Sequence, residues 1–200
     1  KGHAKILTPA EAAEKNKRQW ILPHHGVVNP RKDKMRIVFD AAAAYRGVSL
    51  NDCLMSGPDL LQNLAGVLIR FREEKVAIMA DIEEMFHRVL IKDEDQPALR
   101  FYWRDMDASR PPDIYQMRVA IFGAKCSPAI ANYVLHKAAE DSLEDDEDLV
   151  EAAETIKRNF YMDDMAKSVP DVESAVALGQ QVSQILSNGG FRLTKWSSNE

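Results

Sequence analysis

Apolar residues along this chain change their spacing several times, and each change predicts a different element. Val76-Ala77-Ile78-Met79-Ala80 is an unbroken apolar run ending on Asp81, as expected of a short buried strand. After Pro170-Asp171, the residues Ala175, Leu178, Val182, Ile185 and Leu186 recur at helical spacing. Asn188-Gly189-Gly190 closes that helix, and a strand over 191–196 follows. Thr8-Pro9-Ala10-Glu11 is a capping box with proline at the first helical position, predicting a short helix to about Arg18. From Asp59, Leu60, Leu64, Leu68 and Phe71 predict a helix whose apolar stripe belongs to the core. Residues 29–34 read as a turn leading into a strand at Met35–Phe39, and 45–52 as a loop. Residues 99–104 and 115–121 alternate across a turn-rich stretch, which predicts an antiparallel hairpin. Ser127-Pro128 opens a helix to about Glu140. In this order the elements fit an α+β fold: an antiparallel sheet in a split βαβ pattern, backed by helices on one face.

Carboxylates carry the most informative chemistry. Phe160-Tyr161-Met162-Asp163-Asp164-Met165 sets two adjacent acids between apolar residues, which suits a hairpin with the acids at its tip. Acids this close repel each other, and a divalent cation stabilises both as anions. Taken alone, the pair equally suits a solvated turn. Asp81 changes the balance, because an acid closing a core strand is placed to meet a hairpin acid across a sheet. Two strands delivering acids to one spot is what two-metal phosphoryl transfer requires. Glu83 and Glu84 follow Asp81 closely and read as solvated or secondary. His24-His25 has no third ligand nearby and reads as a polar connection or a packing pair. Basic residues crowd the turn before Met35; they form either a solvated turn or a phosphate clamp.

Four ordered motifs carry a family resemblance that covers nearly the whole chain. Tyr161-Met162-Asp163-Asp164 resembles the catalytic box of reverse transcriptases. Asp81-Ile82-Glu83-Glu84-Met85-Phe86 resembles their first catalytic motif, an Asp followed five residues later by an aromatic. Phe122-Gly123-Ala124-Lys125-Cys126-Ser127-Pro128 is similar to the segment they place between the two. Within the family, Leu22 to Val28 and Gly190 to Asn199 are most similar to BEL/Pao-type LTR retrotransposon polyproteins.

That resemblance implies a polymerase right-hand fragment. Residues 1–75 would be fingers-like and 76–200 palm, with 97–120 contributing to fingers and the thumb and RNase H absent. It implies an RNA-directed DNA polymerase using two Mg²⁺ ions, with Mn²⁺ as a substitute, held by Asp81, Asp163 and Asp164. Arg36, with Lys32 and Lys34, would hold the phosphates of the incoming nucleotide. Phe86 would lie under its sugar and exclude ribose, while Phe122 and Gly123 flank sugar and base. Ile82, Tyr161 and Met162 complete the substrate contacts. Lys195, in a position resembling a later lysine motif, would protonate the leaving pyrophosphate, or else is a solvated strand lysine. Phe122 departs from retroviral members, which usually carry glutamine there. Partners implied are an RNA or DNA template with primer, deoxynucleoside triphosphates, and the polyprotein's protease, thumb, RNase H and integrase. The implied location is the cytoplasm, including virus-like particles. Two rival readings are a decayed element that only binds nucleic acid and an RNA-templated RNA polymerase.

Net charge is −5, which at first argues against a nucleic-acid partner. Nine of the 31 acids lie in residues 140–154, which hold no Lys or Arg, so the rest carries 26 basic and 22 acidic side chains. The acidity is local, and the remaining surface is free to form a basic groove. Cys53 and Cys126 stand far apart, without ligand spacing, and fit a reducing compartment. No apolar run approaches membrane-spanning length. A start on Lys1 and a stop directly after a motif suggest a piece of a longer polypeptide.

Overall fold

The computed structural model describes residues 2–14, 18–29 and 34–200. In chain order the elements begin β1 (Ala4–Ile6), α1 (Pro9–Ala13), β2 (His24–Asn29), β3 (Lys34–Phe39), α2 (Leu50–Cys53), α3 (Leu64–Arg70) and β4 (Val76–Ile82). They continue with β5 (Arg100–Trp103), β6 (Asp113–Met117), α4 (Ser127–Asp145), α5 (Val150–Arg158), β7 (Phe160–Tyr161), β8 (Asp164–Val169), α6 (Val172–Asn188) and β9 (Leu193–Ser198). The chain forms two compact units, one from residues 1–57 and 89–127, the other from 58–88 and 128–200. This division departs from a boundary at residue 75. Residues 58–75 join the second unit because α3 packs on β7 and β8, and the first unit takes in all of 89–127 rather than 97–120 alone.

In the first unit, β1-β6-β5 form one antiparallel sheet and β2-β3 a separate ribbon. Thr8 caps α1 as its sequence predicts: its hydroxyl accepts from the Glu11 N–H, while Glu11 Oε2 accepts from the Thr8 N–H at 2.8 Å. The helix stops at Ala13, short of Arg18, and 15–17 lie outside the described residues. Within the expected loop at 45–52, Ser49 and Asp52 form a second capping box and start α2. The core gathers Leu22, Phe39, Leu50, Phe101, Met117 and Ile121. Phe101 stands edge-on to Phe39 with centroids 5.1 Å apart, and the His24 ring meets Phe101 at 5.4 Å. His24 is therefore a packing residue. The hairpin β5-β6 pairs Arg100 through Trp103 with Gln116 through Asp113; residues 118–121 leave the sheet, although Val119 still bridges Leu90.

In the second unit the sheet order is β7-β8-β4-β9, all antiparallel. Val76, Ile78, Ala80 and Ile82 of β4 are buried, whereas Met79 is 42% exposed. Alternation along the strand therefore puts Asp81 on the face opposite that core. Helix α6 covers the core face; Ala175, Leu178, Val182, Ile185 and Leu186 are all buried, Asp171 caps its start and Gly189 its end. Helix α4 runs to Asp145, longer than the expected Glu140, and absorbs the first part of the acidic segment. The largest correction concerns α3. It begins only after the Asn63 cap, Val67 is its one buried residue, and Leu64 and Leu68 remain 45% and 48% exposed instead of core. Among the described residues no helix is long and apolar enough to cross a membrane.

Candidate active site

Three carboxylates meet at one end of the second unit's sheet. Asp81 is the penultimate residue of β4 and lies directly opposite Asp164, the first residue of β8. Facing residues of an antiparallel pair project to the same side, a few ångströms apart. Tyr161 pairs with Asp164, so Met162 and Asp163 form a two-residue turn between β7 and β8. Met162 takes φ +56°, in the left-handed region that a side chain with a Cβ rarely adopts. Tight two-residue turns require such a residue, and here Met162 stands where glycine or asparagine is usual. Its sulfur lies 3.5 Å from Asn132 Nδ2 of α4, and the Asp163 carbonyl accepts from the Ile82 N–H at 2.8 Å. The turn is thereby tied both to a helix and to the end of β4.

Electrostatics mark the cluster. The Asp164 carboxyl titrates above its ordinary value, first because it is partly desolvated, then because Asp163 and Asp81 repel its charge; Lys195 opposes the shift. Lys195 Nζ sits 2.7 Å from Asp81 Oδ2. The three carboxylates do not close into a single cage, since their oxygens are not all within 4.8 Å of one another. Glu83 takes no part: it pairs with Arg88 at 2.7 Å and Arg192 at 3.5 Å.

Lys195 reaches Asp81 through an irregularity that sequence periodicity does not show. Asp81 faces Thr194 and Met79 faces Ser197, so β9 carries one extra residue opposite Ala80. Lys195 occupies this bulge with φ +56°. Bulges re-aim side chains, and this one sends Lys195 to the acids while Trp196 packs against α6 at Gly179. A register change between β4 and β9 was the missing signal, and it exists only in the folded pair. Phe86 lies in a single 3₁₀ turn, Met85–Arg88, just beyond β4 and is partly buried; Ile82 is fully buried in the core rather than open at the site.

The remaining candidates belong to the first unit. Arg36 is exposed on β3 opposite Val27. Lys34 starts that strand, its side chain outside what is described, and Lys32 lies outside the described residues altogether. Phe122 is 37% exposed, and Gly123 takes φ +112° against the backbone of Phe39. Asn51 secures this loop, donating to the Gly123 carbonyl at 3.1 Å and accepting from the Lys125 N–H at 2.9 Å.

Comparison with known proteins bears on family and fold. A family model described as reverse transcriptase (RNA-dependent DNA polymerase) matches residues 5–196. No curated protein matches in sequence. Among solved structures, the foamy viral protease-reverse transcriptase in complex with double-stranded DNA superposes over 96% of this chain, with TM-score 0.65 and 20% identity. The chain spans 28% of that chain's length, and at this identity the likeness establishes the fold.

Proposed function

Because the chain belongs to the reverse transcriptase (RNA-dependent DNA polymerase) family, we propose that it is the fingers and palm portion of an RNA-directed DNA polymerase. It extends a primer on an RNA or DNA template with deoxynucleoside triphosphates. One observation carries the reading: the β4-β8 register sets Asp81 against Asp164 with Asp163 in the adjoining turn.

The acids fit divalent cations. They offer hard oxygen donors, the Asp164 carboxyl is pushed up by desolvation and then by its two acidic neighbours, and Asp81 already holds one cationic group, the Lys195 ammonium. Asp81 and Asp163 would hold two Mg²⁺ ions, or Mn²⁺ in their place, with Asp164 alongside. When bound, such ions supply charge neutralisation at the primer 3′-oxygen and at the triphosphate. Asp163 is aimed by its turn, and Asp81 by the strand that carries it. Lys195 is the proton donor to the departing pyrophosphate. For Arg36, Lys32, Lys34, Phe122 and Gly123 the assignment to nucleotide phosphates, sugar and base rests on motif resemblance, as it does for Ile82, Tyr161 and Met162. So does the subgroup, a BEL/Pao-type retrotransposon polyprotein working in the cytoplasm.

Asp81→Asn and Asp163→Asn should each lower primer extension on the order of a thousandfold or more, the loss expected for a direct metal ligand, with the thermal midpoint little changed. Extension at near-parental rates by either folded variant overturns the assignment. The sugar preference separates this reading from an RNA polymerase. Burying a ribose 2′-hydroxyl against Phe86 without a partner costs roughly 1–3 kcal/mol. Phe86→Val should therefore raise the ribonucleotide to deoxyribonucleotide ratio of kcat/KM about tenfold or more. An unchanged ratio removes the barrier from Phe86 and favours RNA synthesis.

A further inference from the structure

We infer that Lys195 is a built-in counter-ion for Asp81, which a divalent cation must displace, so that this residue sets how readily the site takes up metal. The inference rests on the reading of Asp81 as a metal ligand given above.

The backbone argues that the contact is constructed. Strand β9 carries an extra residue opposite Ala80, and Lys195 accepts φ +56° there, a conformation that favours glycine. Both flanks of the bulge are fixed to β4. Thr194 Oγ1 donates to the Asp81 carbonyl at 3.2 Å, and on the other side Ser198 Oγ donates to the Ala77 carbonyl at 2.8 Å. Lys195 therefore stays in register with Asp81.

The side chains argue that the contact is reversible. The Lys195 side chain is 63% exposed and that of Asp81 20%, so the lysine is held at its ammonium, 2.7 Å from Asp81 Oδ2, with most of its side chain open to water. Swinging it away uncovers little surface. A tethered ammonium is present at high effective concentration, which holds off free monovalent ions. A divalent ion carries twice the charge and would also draw on Asp163 and Asp164, whereas the lysine is paired with Asp81 and acts on Asp164 only through space. The structure therefore favours doubly charged cations by giving them a competitor that single charges do not beat. Displacement also frees the ammonium for the leaving-group role proposed above.

Mn²⁺ binding to the metal-free protein, followed by the electron paramagnetic resonance of free Mn²⁺, tests this without any turnover. Lys195→Met should bind Mn²⁺ roughly threefold to tenfold more tightly than the parent, as expected for removing one adjacent like charge. Asp81→Asn should lose most binding. A second measurement needs no variant. Labelling of the Lys195 amine by an amine-reactive ester should rise severalfold when Mg²⁺ is added, while Lys137, paired with Asp141 at 2.7 Å elsewhere, stays constant. Equal Mn²⁺ affinity in Lys195→Met and parent, or labelling unmoved by Mg²⁺, overturns the counter-ion and leaves the metal site standing. A parent protein that binds no divalent ion at millimolar concentration, or an Asp81→Asn that binds normally, overturns both.

Discussion

At Gly123 a single methyl group is decisive. A Cβ built there would fall 1.9 Å from the Phe39 carbonyl oxygen, and φ +112° is itself unfavourable for any other residue. The glycine lets the loop lie directly against strand β3, whose Phe39 N–H donates to the Phe122 carbonyl at 3.3 Å. Gly123→Ala should cost roughly 3 kcal/mol, combining backbone strain with overpacking. Urea unfolding measures it; a loss below about 1 kcal/mol would show that the loop re-seats. Asp164 gives a prediction of opposite sign. Its carboxyl binds a proton more readily in the folded state, so the folded protein carries the extra proton between the unfolded and folded pKa values. Stability from this group is present at low pH and lost as pH rises through that window. In metal-free buffer at neutral pH, Asp164→Asn should unfold at a higher temperature than the parent, and the gap should close below about pH 4. Equal midpoints at neutral pH would contradict the penalty on the Asp164 charge, from desolvation first and then from Asp163 and Asp81.

Among the elements, α1 shows how local chemistry becomes legible in sequence. The Thr8 N–H, the Thr8 hydroxyl and Lys5 hold Glu11 down to about 2 from 4.5. With the folded pKa depressed, the box contributes stability above 4.5 and loses it as pH falls through about 2. The Glu11 carboxyl should titrate near 2 by NMR, and Thr8→Ala, which removes the hydroxyl but keeps the Thr8 N–H, should raise it only part of the way to 4.5 at a cost of about 1 kcal/mol in capping. A parental titration near 4.5 would mean that the box is open in solution. Caps, the α6 stripe and the strand ending on Asp81 could be read from sequence because each depends on a few neighbouring residues. The α3 stripe misled for the converse reason. Periodicity tells which residues share a face, and only tertiary packing decides whether that face is covered; Leu64 and Leu68 are covered only about halfway. The Lys195 bulge was hidden for a related reason. Within 191–196 nothing marks an extra residue, since the excess is defined against β4, more than a hundred positions away.

Over the whole molecule, the chain crosses between its two units after residues 57, 88 and 127, an interleaving that long-range contacts alone create. Charge is partitioned just as unevenly, with the acidic segment spanning the end of α4, a 3₁₀ turn and the start of α5. Exposed charges separated from bound nucleic acid by more than about 10 Å are largely screened at ~0.1 M salt. Replacing Glu144, Asp146 and Asp148 by their amides should then change template–primer Kd less than twofold. A tenfold gain in affinity would place the segment beside the nucleic acid. The facing of Asp81 and Asp164 has a further consequence. Side chains along a strand alternate like heads and tails, so a slip of one residue between β4 and β8 turns one carboxylate toward α6. A slip of two restores the side but parts the acids by roughly 7 Å. Small drifts of this hairpin therefore offer no series of intermediate activities: its alignment works as a parity check, passed or failed, and a one-residue shift of the whole β4-β8 register would fail it while leaving every acid in place in the sequence.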